Sequence, residues 1–131
     1  MAEETQHTGA IVLIVEDEDA LSGVLRNKLT RHGFVVEIAQ DGVEAIEKIR
    51  ALKPAVVLLD LIMPKKNGFQ VLEEVKADSL LAAIPIIIFS NLNQEEDRER
   101  TKKLGATDFL VKSDIAIKDV VEKISGYIVL P

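Results

Sequence analysis

Three acidic side chains, a hydroxyl and an amine follow apolar segments of the sequence, at points where strands are expected to end. Glu16 and Asp17 come directly after AIVLIV, Asp60 after AVVLL, Ser90 after IIIF and Lys112 after DFLV. Clustered carboxylates repel one another, by about 4 kcal/mol for two unit charges about 4 Å apart at an effective dielectric near 20. Such a cluster therefore either raises the pKa of one member or recruits a cation.

These residue types support phosphoryl transfer. Ligands that are all oxygen suit a hard divalent cation, and Mg²⁺ is commonly held by one or two carboxylates together with waters and a phosphate oxygen. Mn²⁺ is a second candidate for the same ligands. With the cation bound, a central carboxylate can attack an electrophilic phosphorus, while Lys112 and Ser90 hold oxygens of the transferred group. The product of that reaction is an acyl phosphate.

The elements that would bring these residues together alternate regularly along the chain. Short apolar segments predict strands over residues 10–15, 34–39, 55–59, 86–89 and 108–111. Apolar residues at helical spacing predict helices over residues 20–31, 43–52, 69–75, 94–104 and 117–128. Strict alternation predicts a parallel sheet with helices on both faces, a doubly wound α/β domain. Ligand sites in such sheets lie beyond the carboxyl ends of the strands, where the five residues fall.

Composition bounds the class of protein. The chain has 131 residues, which favours one domain, and no Cys, which excludes disulfide scaffolds, thiolate zinc sites and cysteine nucleophiles. The formal net charge of -6 argues against a nucleic-acid binder, and no segment approaches the roughly 20 apolar residues of a membrane span. Residues 1–9 hold no apolar run and predict a disordered lead rather than a signal peptide. We therefore expect a cytoplasmic protein that binds neither nucleic acid nor membrane, with one domain over residues 10–131.

The chain resembles a receiver domain of the two-component response-regulator family, from about residue 10 to residue 128. The resemblance is carried by the acidic pair in IVEDE, Asp60 in LLDLIMPKKNG, Ser90 in IIIFSN and Lys112 in GATDFLVKS. It implies a flavodoxin-like fold of five parallel strands in the order 2-1-3-4-5 with five helices. It also implies a signalling switch that accepts a phosphoryl group and catalyses only its own phosphorylation and dephosphorylation.

The resemblance implies a role for each site residue. Asp60 would accept the phosphoryl group, and Lys112 would pair with its oxygens. Ser90 would move to hydrogen-bond the group while Phe109 turns inward, which would change the face built from helix 4, strand 5 and helix 5. The implied metal ligands are Glu16, Asp17, Asp60 and the backbone carbonyl of Ile62. The implied partners are a histidine kinase or histidine phosphotransfer protein as donor and a downstream protein target, with the chain acting as a monomer or as a dimer that forms on phosphorylation.

Three features depart from the family's pattern. Ser113 follows Lys112 where the family usually has Pro, often after a cis peptide bond, which costs about 3 kcal/mol before any other residue. Phe109 replaces the common Tyr, so that a switch here has no hydroxyl to anchor it. Ile62 and Leu92 are apolar and flank the expected path of a hydrolytic water, which predicts a long-lived phosphoryl group.

Two other functions are compatible with parts of the sequence. The segment Asp17-Glu18-Asp19 superficially matches the Asp-x-Asp of haloacid dehalogenase-type phosphohydrolases. In that class, however, Asp60 would have no function and a cap domain would have no room. A degenerate receiver, acting as a phosphorylation-independent interaction module, is the second alternative. Because the chain ends shortly after the last predicted helix, a stand-alone receiver and a fragment of a longer regulator both remain open.

Overall fold

Five parallel strands and five α-helices alternate along the computed structural model, which describes residues 9–128. The strands are β1 (Ile11–Val15), β2 (Val35–Ala39), β3 (Val56–Leu59), β4 (Ile86–Ser90) and β5 (Asp108–Val111). The helices are α1 (Asp19–Arg31), α2 (Gly42–Leu52), α3 (Gly68–Ala77), α4 (Glu95–Lys103) and α5 (Ile117–Tyr127), with a short 3-10 helix at Lys112–Asp114. The strands are hydrogen-bonded in the order β2-β1-β3-β4-β5, which confirms the predicted doubly wound topology.

The predicted disordered lead over residues 1–9 lies outside the described residues except for Gly9, and so do the last three residues of the predicted domain. Within residues 9–128, no helix is both long enough and apolar enough to cross a membrane.

The predicted element boundaries agree with the structure to within one or two residues. The strand predicted over 86–89 extends one residue further, so that Ser90 is the last residue of β4 rather than the first residue after it. The helix predicted over 94–104 is shorter because Gln94 and Leu104 are its capping residues. The helix predicted over 69–75 begins one residue earlier and ends two residues later, and a capping box formed by Asn67 and Gln70 fixes its start.

Two hydrophobic layers cover the sheet, one on each face, because alternate residues of a strand point to opposite faces. Leu13 and Val15 of β1 belong to the layer built with α2 and α3. Val12 and Ile14 belong to the layer built with α1 and α5. Burial on both faces explains why the strands read as continuous apolar runs.

The helix α4 differs from its neighbours because Thr101 is the one buried residue among its nine. Its sequence, EEDRERTKK, places acidic residues in the first turn and basic residues in the last, which suits the helix dipole. Leu104, just past its end, is partly buried against the α2–α3 layer. The helix therefore contributes far less apolar surface to the core than α2 or α3 does.

A hydrogen bond fastens the end of α5 to the start of β5. The Tyr127 O–H donates to Asp108 Oδ2 over 2.8 Å, and Asp108 Oδ1 accepts from the N–H of Phe109, also over 2.8 Å. The hydrogen bond to Asp108 raises the pKa of the Tyr127 phenol. The contact ties α5 to β5, the strand that carries Phe109 and is directly followed by Lys112.

Candidate functional site

The carboxyl ends of four strands form one edge of the sheet, and the site residues lie along it. The Glu16 N–H donates to the Ala39 carbonyl over 2.9 Å, and the Asp60 N–H donates to the Val15 carbonyl over 3.1 Å. These hydrogen bonds continue the ladders of β1 and β3 into the site, so that both backbones are held by the sheet. An open cavity of about 340 Å³ at this edge is lined by every candidate site residue except Phe109, together with Glu18 and Asn91.

The three candidate acids converge at this edge. One carboxylate oxygen each of Glu16, Asp17 and Asp60 lies within 4.8 Å of the others. Glu16 and Asp60 are only 2% and 6% exposed, whereas Asp17 is exposed. Burial raises the pKa of Glu16 above its ordinary value, and hydrogen bonds from the Lys112 amine and the Glu18 N–H offset the shift only in part.

Lys112 is the cation that faces these acids. Its Nζ lies 2.6 Å from Glu16 Oε1 and 3.0 Å from Asp60 Oδ2. It also lies 5.7 Å from the ring centroid of Phe89, on the β4 strand. Burial acts to lower the pKa of Lys112, but the hydrogen bonds and charges of Glu16 and Asp60 outweigh that effect and raise it. The amine is therefore held in its charged form between two buried carboxylates.

The acidic cluster fits a hard divalent cation. Three carboxylates face one lysine, so the site keeps an excess of negative charge. Glu16 Oε1 is buried, and its close partner among the described residues is the Lys112 amine, 2.6 Å away. That single amine is shared between Glu16 and Asp60, so it cannot balance the charge of all three acids. Because every ligand atom on offer is an oxygen, the residues suit Mg²⁺ or a cation of the same class.

Ser90, Ile62 and Leu92 border the acids in different ways. Ser90 is fully buried, and its Oγ accepts from the Leu92 N–H over 3.2 Å, which leaves its own O–H free to donate. The Ile62 N–H donates to Asp60 Oδ1 over 3.3 Å, while the Ile62 side chain is 61% exposed at the cavity. Leu92 is half-buried against the α2–α3 layer and does not line the cavity.

Phe109 lies away from the acids, under α4. Its half-buried ring packs against the α2–α3 layer, and the guanidinium carbon of Arg98 lies 5.1 Å from the ring centroid. A second cavity, of about 280 Å³, lies beside the ring between α4 and β5. The structure thus places Phe109 between the sheet and α4, next to open space.

Two glycines, each the first residue of a helix, shape the loop after Asp60. A Cβ on Gly68 would lie 2.3 Å from the Asp60 carbonyl oxygen, and a Cβ on Gly42 would lie 2.0 Å from the carbonyl oxygen of Lys66. The first turns of α3 and α2 therefore approach this loop to backbone contact. The available signal was a glycine at each helix start, a position where its conformational entropy is a cost unless close approach requires it.

Asn91 and Ser113 form a contact that the sequence analysis also missed. The Ser113 N–H donates to Asn91 Oδ1 over 2.9 Å, a hydrogen bond that proline at position 113 could not make. Within residues 9–128 no peptide bond is cis, so the bond between Lys112 and Ser113 is trans.

The sequence is similar to a family of known proteins over nearly its whole described length. Residues 12–125 match the family profile described as the response regulator receiver domain. The chain is 39% identical over 103 residues to the protein PilH of Pseudomonas aeruginosa, an alignment that covers 79% of this chain and 85% of PilH. It is 40% identical over 101 residues to the probable transcriptional regulator ycf27 of Guillardia theta, covering 77% of this chain and 39% of that protein. The chain thus matches about two-fifths of the length of that regulator.

The fold is similar to that of solved proteins. The chemotaxis protein CheY4 of Vibrio cholerae superposes with a TM-score of 0.83 at 28% identity, covering 91% of this chain and 98% of that chain. The strand order and the alternation of five strands with five helices are those of the flavodoxin-like receiver fold.

Proposed function

The chain belongs to the response regulator receiver domain family, and from that membership we propose that it is a Mg²⁺-dependent signalling switch whose phosphoryl acceptor is Asp60. Domains of this family are regulatory rather than classical enzymes. One observation carries the proposal. The carboxylates of Glu16, Asp17 and Asp60 meet within 4.8 Å of one another, and the Lys112 amine bridges two of them.

The proposed ligands of the cation are the carboxylates of Glu16, Asp17 and Asp60 and the backbone carbonyl of Ile62. When bound, Mg²⁺, or Mn²⁺ in its place, would offset the charge of these acids and of an incoming phosphoryl group. The excess of three carboxylates over one amine at this edge supports this assignment.

In the proposed reaction, a carboxylate oxygen of Asp60 attacks the phosphorus of a phosphohistidine on a histidine kinase or a histidine phosphotransfer protein. The new O–P bond forms as the P–N bond breaks, and the electron pair leaves with the imidazole nitrogen, which can then be protonated. Lys112, whose Nζ lies 3.0 Å from Asp60 Oδ2, would pair with the oxygens of the transferred group. The O–H of Ser90 would be a second donor for the same oxygens, because its Oγ acts as the acceptor in the contact with the Leu92 N–H.

The proposed output is a change in the face formed by α4, β5 and α5, to which a downstream protein target would bind. Ser90 pairs with Val111 in the sheet, and Phe109 lies two residues earlier on the same strand. A shift of Ser90 toward the phosphoryl group would therefore displace the part of β5 that lies next to Phe109. The cavity beside Phe109 and the shallow burial of α4 support such a rearrangement.

Labelling with a small phosphoryl donor tests the proposal. Incubated with Mg²⁺ and acetyl phosphate, the wild type should gain the mass of one phosphoryl group. The Asp60→Asn variant should gain none, and chelation of Mg²⁺ should abolish the gain. Asp119→Asn, which changes the same functional group on α5 outside the cavity, is the matched control and should be labelled normally.

Two outcomes would contradict the proposal. A wild type that gains no mass under conditions that label another receiver domain would point to a degenerate receiver acting as an interaction module. Steady turnover of a generic phosphate ester would point to a phosphohydrolase.

A further inference from the structure

We propose that Asn91 is a positioning residue that fixes the two loops around the phosphoryl group relative to each other. This inference rests on the proposed function, because it assigns Asn91 a task in that same reaction. The contact that carries it is the hydrogen bond of 2.9 Å from the Ser113 N–H to Asn91 Oδ1.

The two residues of this contact are the chain neighbours of the two proposed phosphoryl-binding side chains. Asn91 directly follows Ser90, and Ser113 directly follows Lys112. The last registered pair between β4 and β5 is Ser90 with Val111. The Asn91 side chain therefore connects the two strands one step beyond the end of their ladder, at the cavity that it helps to line.

The hydrogen bond exists because Ser113 offers an N–H that needs a partner. Ser113 lies in the short 3-10 helix at Lys112–Asp114, and the first N–H groups of a helical turn have no acceptor within the turn. The residue at the cap position, Val111, has no side-chain acceptor to supply. Asn91 supplies the acceptor from the loop after β4, in the role that an N-cap side chain plays for its own helix.

Asn91 is itself held by the loop on which it lies. The Leu92 N–H donates to Ser90 Oγ, which closes a tight turn around Asn91. With that turn formed and the Asn91 side chain joined to Ser113, the Ser90 hydroxyl and the Lys112 amine approach the cavity from fixed directions. The proposed metal-binding carboxylates directly follow β1 and β3, and none of them takes part in the contact.

Variants at position 91 test the role. In Asn91→Ala, the rate of phosphorylation by acetyl phosphate should fall by about three- to tenfold, the range expected for losing one such hydrogen bond from the reacting arrangement. Mg²⁺ affinity, measured by calorimetry, should stay unchanged because the carboxylates are untouched. Asn91→Asp keeps an acceptor oxygen and should keep the Ser113 amide as protected from hydrogen exchange as in the wild type, while its added negative charge beside the acids slows labelling. Ser113→Ala keeps the N–H and should react like the wild type.

A double-variant cycle separates positioning from a general loss of structure. In a Ser113→Pro background, where no N–H remains, adding Asn91→Ala should change the rate by less than about twofold. Hydrogen exchange of the Ser113 amide should become faster in Asn91→Ala alone. Together, these results would establish the positioning role.

The possible failures are distinguishable. A wild type that is labelled normally, with an Asn91→Ala variant of equal rate, would overturn the positioning role and leave the proposed function intact. A parallel loss of rate and of Mg²⁺ affinity in Asn91→Ala would overturn it in favour of a structural defect. A wild type that takes no label would overturn both.

Discussion

The edge of the sheet along which the site residues lie has two halves, and these are held together in different ways. In the half formed by β1 and β3, the acids lie on backbones that continue the sheet ladder, and Gly68 brings α3 into contact with the Asp60 backbone. In the half formed by β4 and β5, the loops are joined through exposed residues, Asn91 and Ser113, and the neighbouring helix α4 buries only Thr101.

This contrast separates two requirements of a phosphoryl switch. Binding a small cation needs carboxylates at fixed spacing, which close backbone packing provides. Signalling needs a segment whose displacement costs little free energy. A segment that makes few buried apolar contacts meets that requirement. Each pair of strands therefore has its own kind of support, backbone contact for β1 and β3 and a side-chain hydrogen bond for β4 and β5.

The first prediction addresses the tightly packed half. Gly68→Ala should lower the free energy of unfolding by about 1 to 3 kcal/mol, because its Cβ would overlap the Asp60 carbonyl oxygen. Displacement of that backbone should also slow acetyl phosphate labelling by at least about tenfold. Chemical denaturation and intact-mass kinetics measure the two effects.

Gly23→Ala is the matched control for that prediction. Gly23 lies within α1, where an added Cβ meets no atom within 4 Å, so alanine should stabilise the protein by about 0.5 to 1 kcal/mol. Equal effects of the two substitutions would contradict the claim that the β1–β3 half is held by backbone contact.

The second prediction compares α3 and α4, which differ in the number of residues that they bury. Amides of α4 should exchange with solvent at least about tenfold faster than those of α3, which buries five residues against one. Hydrogen exchange followed by mass spectrometry measures this directly. Equal protection of the two helices would remove the physical basis for treating the β4–β5 half as the movable one.

The third prediction concerns the lifetime of the phosphoryl group. Ile62 presents an exposed apolar side chain beside Asp60, where it can obstruct an attacking water. Ile62→Gln should therefore shorten the half-life of the phosphorylated form by at least about twofold, a barrier change of roughly 0.4 kcal/mol. Ile62→Leu keeps the apolar surface and serves as the control, and a half-life that is the same in all three proteins would count against the idea.

The smallest predicted effect is on acid stability. Asp41 caps α2 through the Glu44 N–H, over 2.8 Å, and its other oxygen lies 3.6 Å from the Lys65 amine on the loop after Asp60. The hydrogen bond from Glu44 holds the pKa of Asp41 below its ordinary value of 3.8. Its charge therefore contributes stability that is present above that value and lost as the pH falls through the lowered pKa.

Asp41→Asn isolates this contribution because asparagine caps a helix about as well as aspartate does. The variant should be slightly less stable than the wild type at neutral pH, and the two unfolding curves should converge in strong acid. A difference that persists unchanged to low pH would contradict the assignment.

The sequence predicted the fold in nearly all respects because its signals are local. Continuous apolar runs such as AIVLIV indicated strands buried on both faces, and the helical spacing of apolar residues between them indicated the covering helices. The strand order followed from the family resemblance, and the structure confirms it. Boundaries moved by one or two residues where capping decided them, as at Gln94.

What the sequence could not supply is contact between segments that are far apart in the chain. The bond between Asn91 and Ser113 joins residues 22 positions apart, and the approach of Gly42 to Lys66 depends on how α2 lies beside the loop after Asp60. Neither leaves a periodic pattern. The roles of the site residues in phosphotransfer stay predictions until the labelling experiments are done.

The contact between Tyr127 and Asp108 has a practical consequence. Tyr127 is the one tyrosine of the chain, and there is no tryptophan, so a single phenol dominates the near-ultraviolet spectrum. That phenol is hydrogen-bonded to the residue that precedes Phe109. The near-ultraviolet signal of Tyr127 can therefore report changes on the face proposed to rearrange. The measurement needs neither a modified protein nor an attached dye.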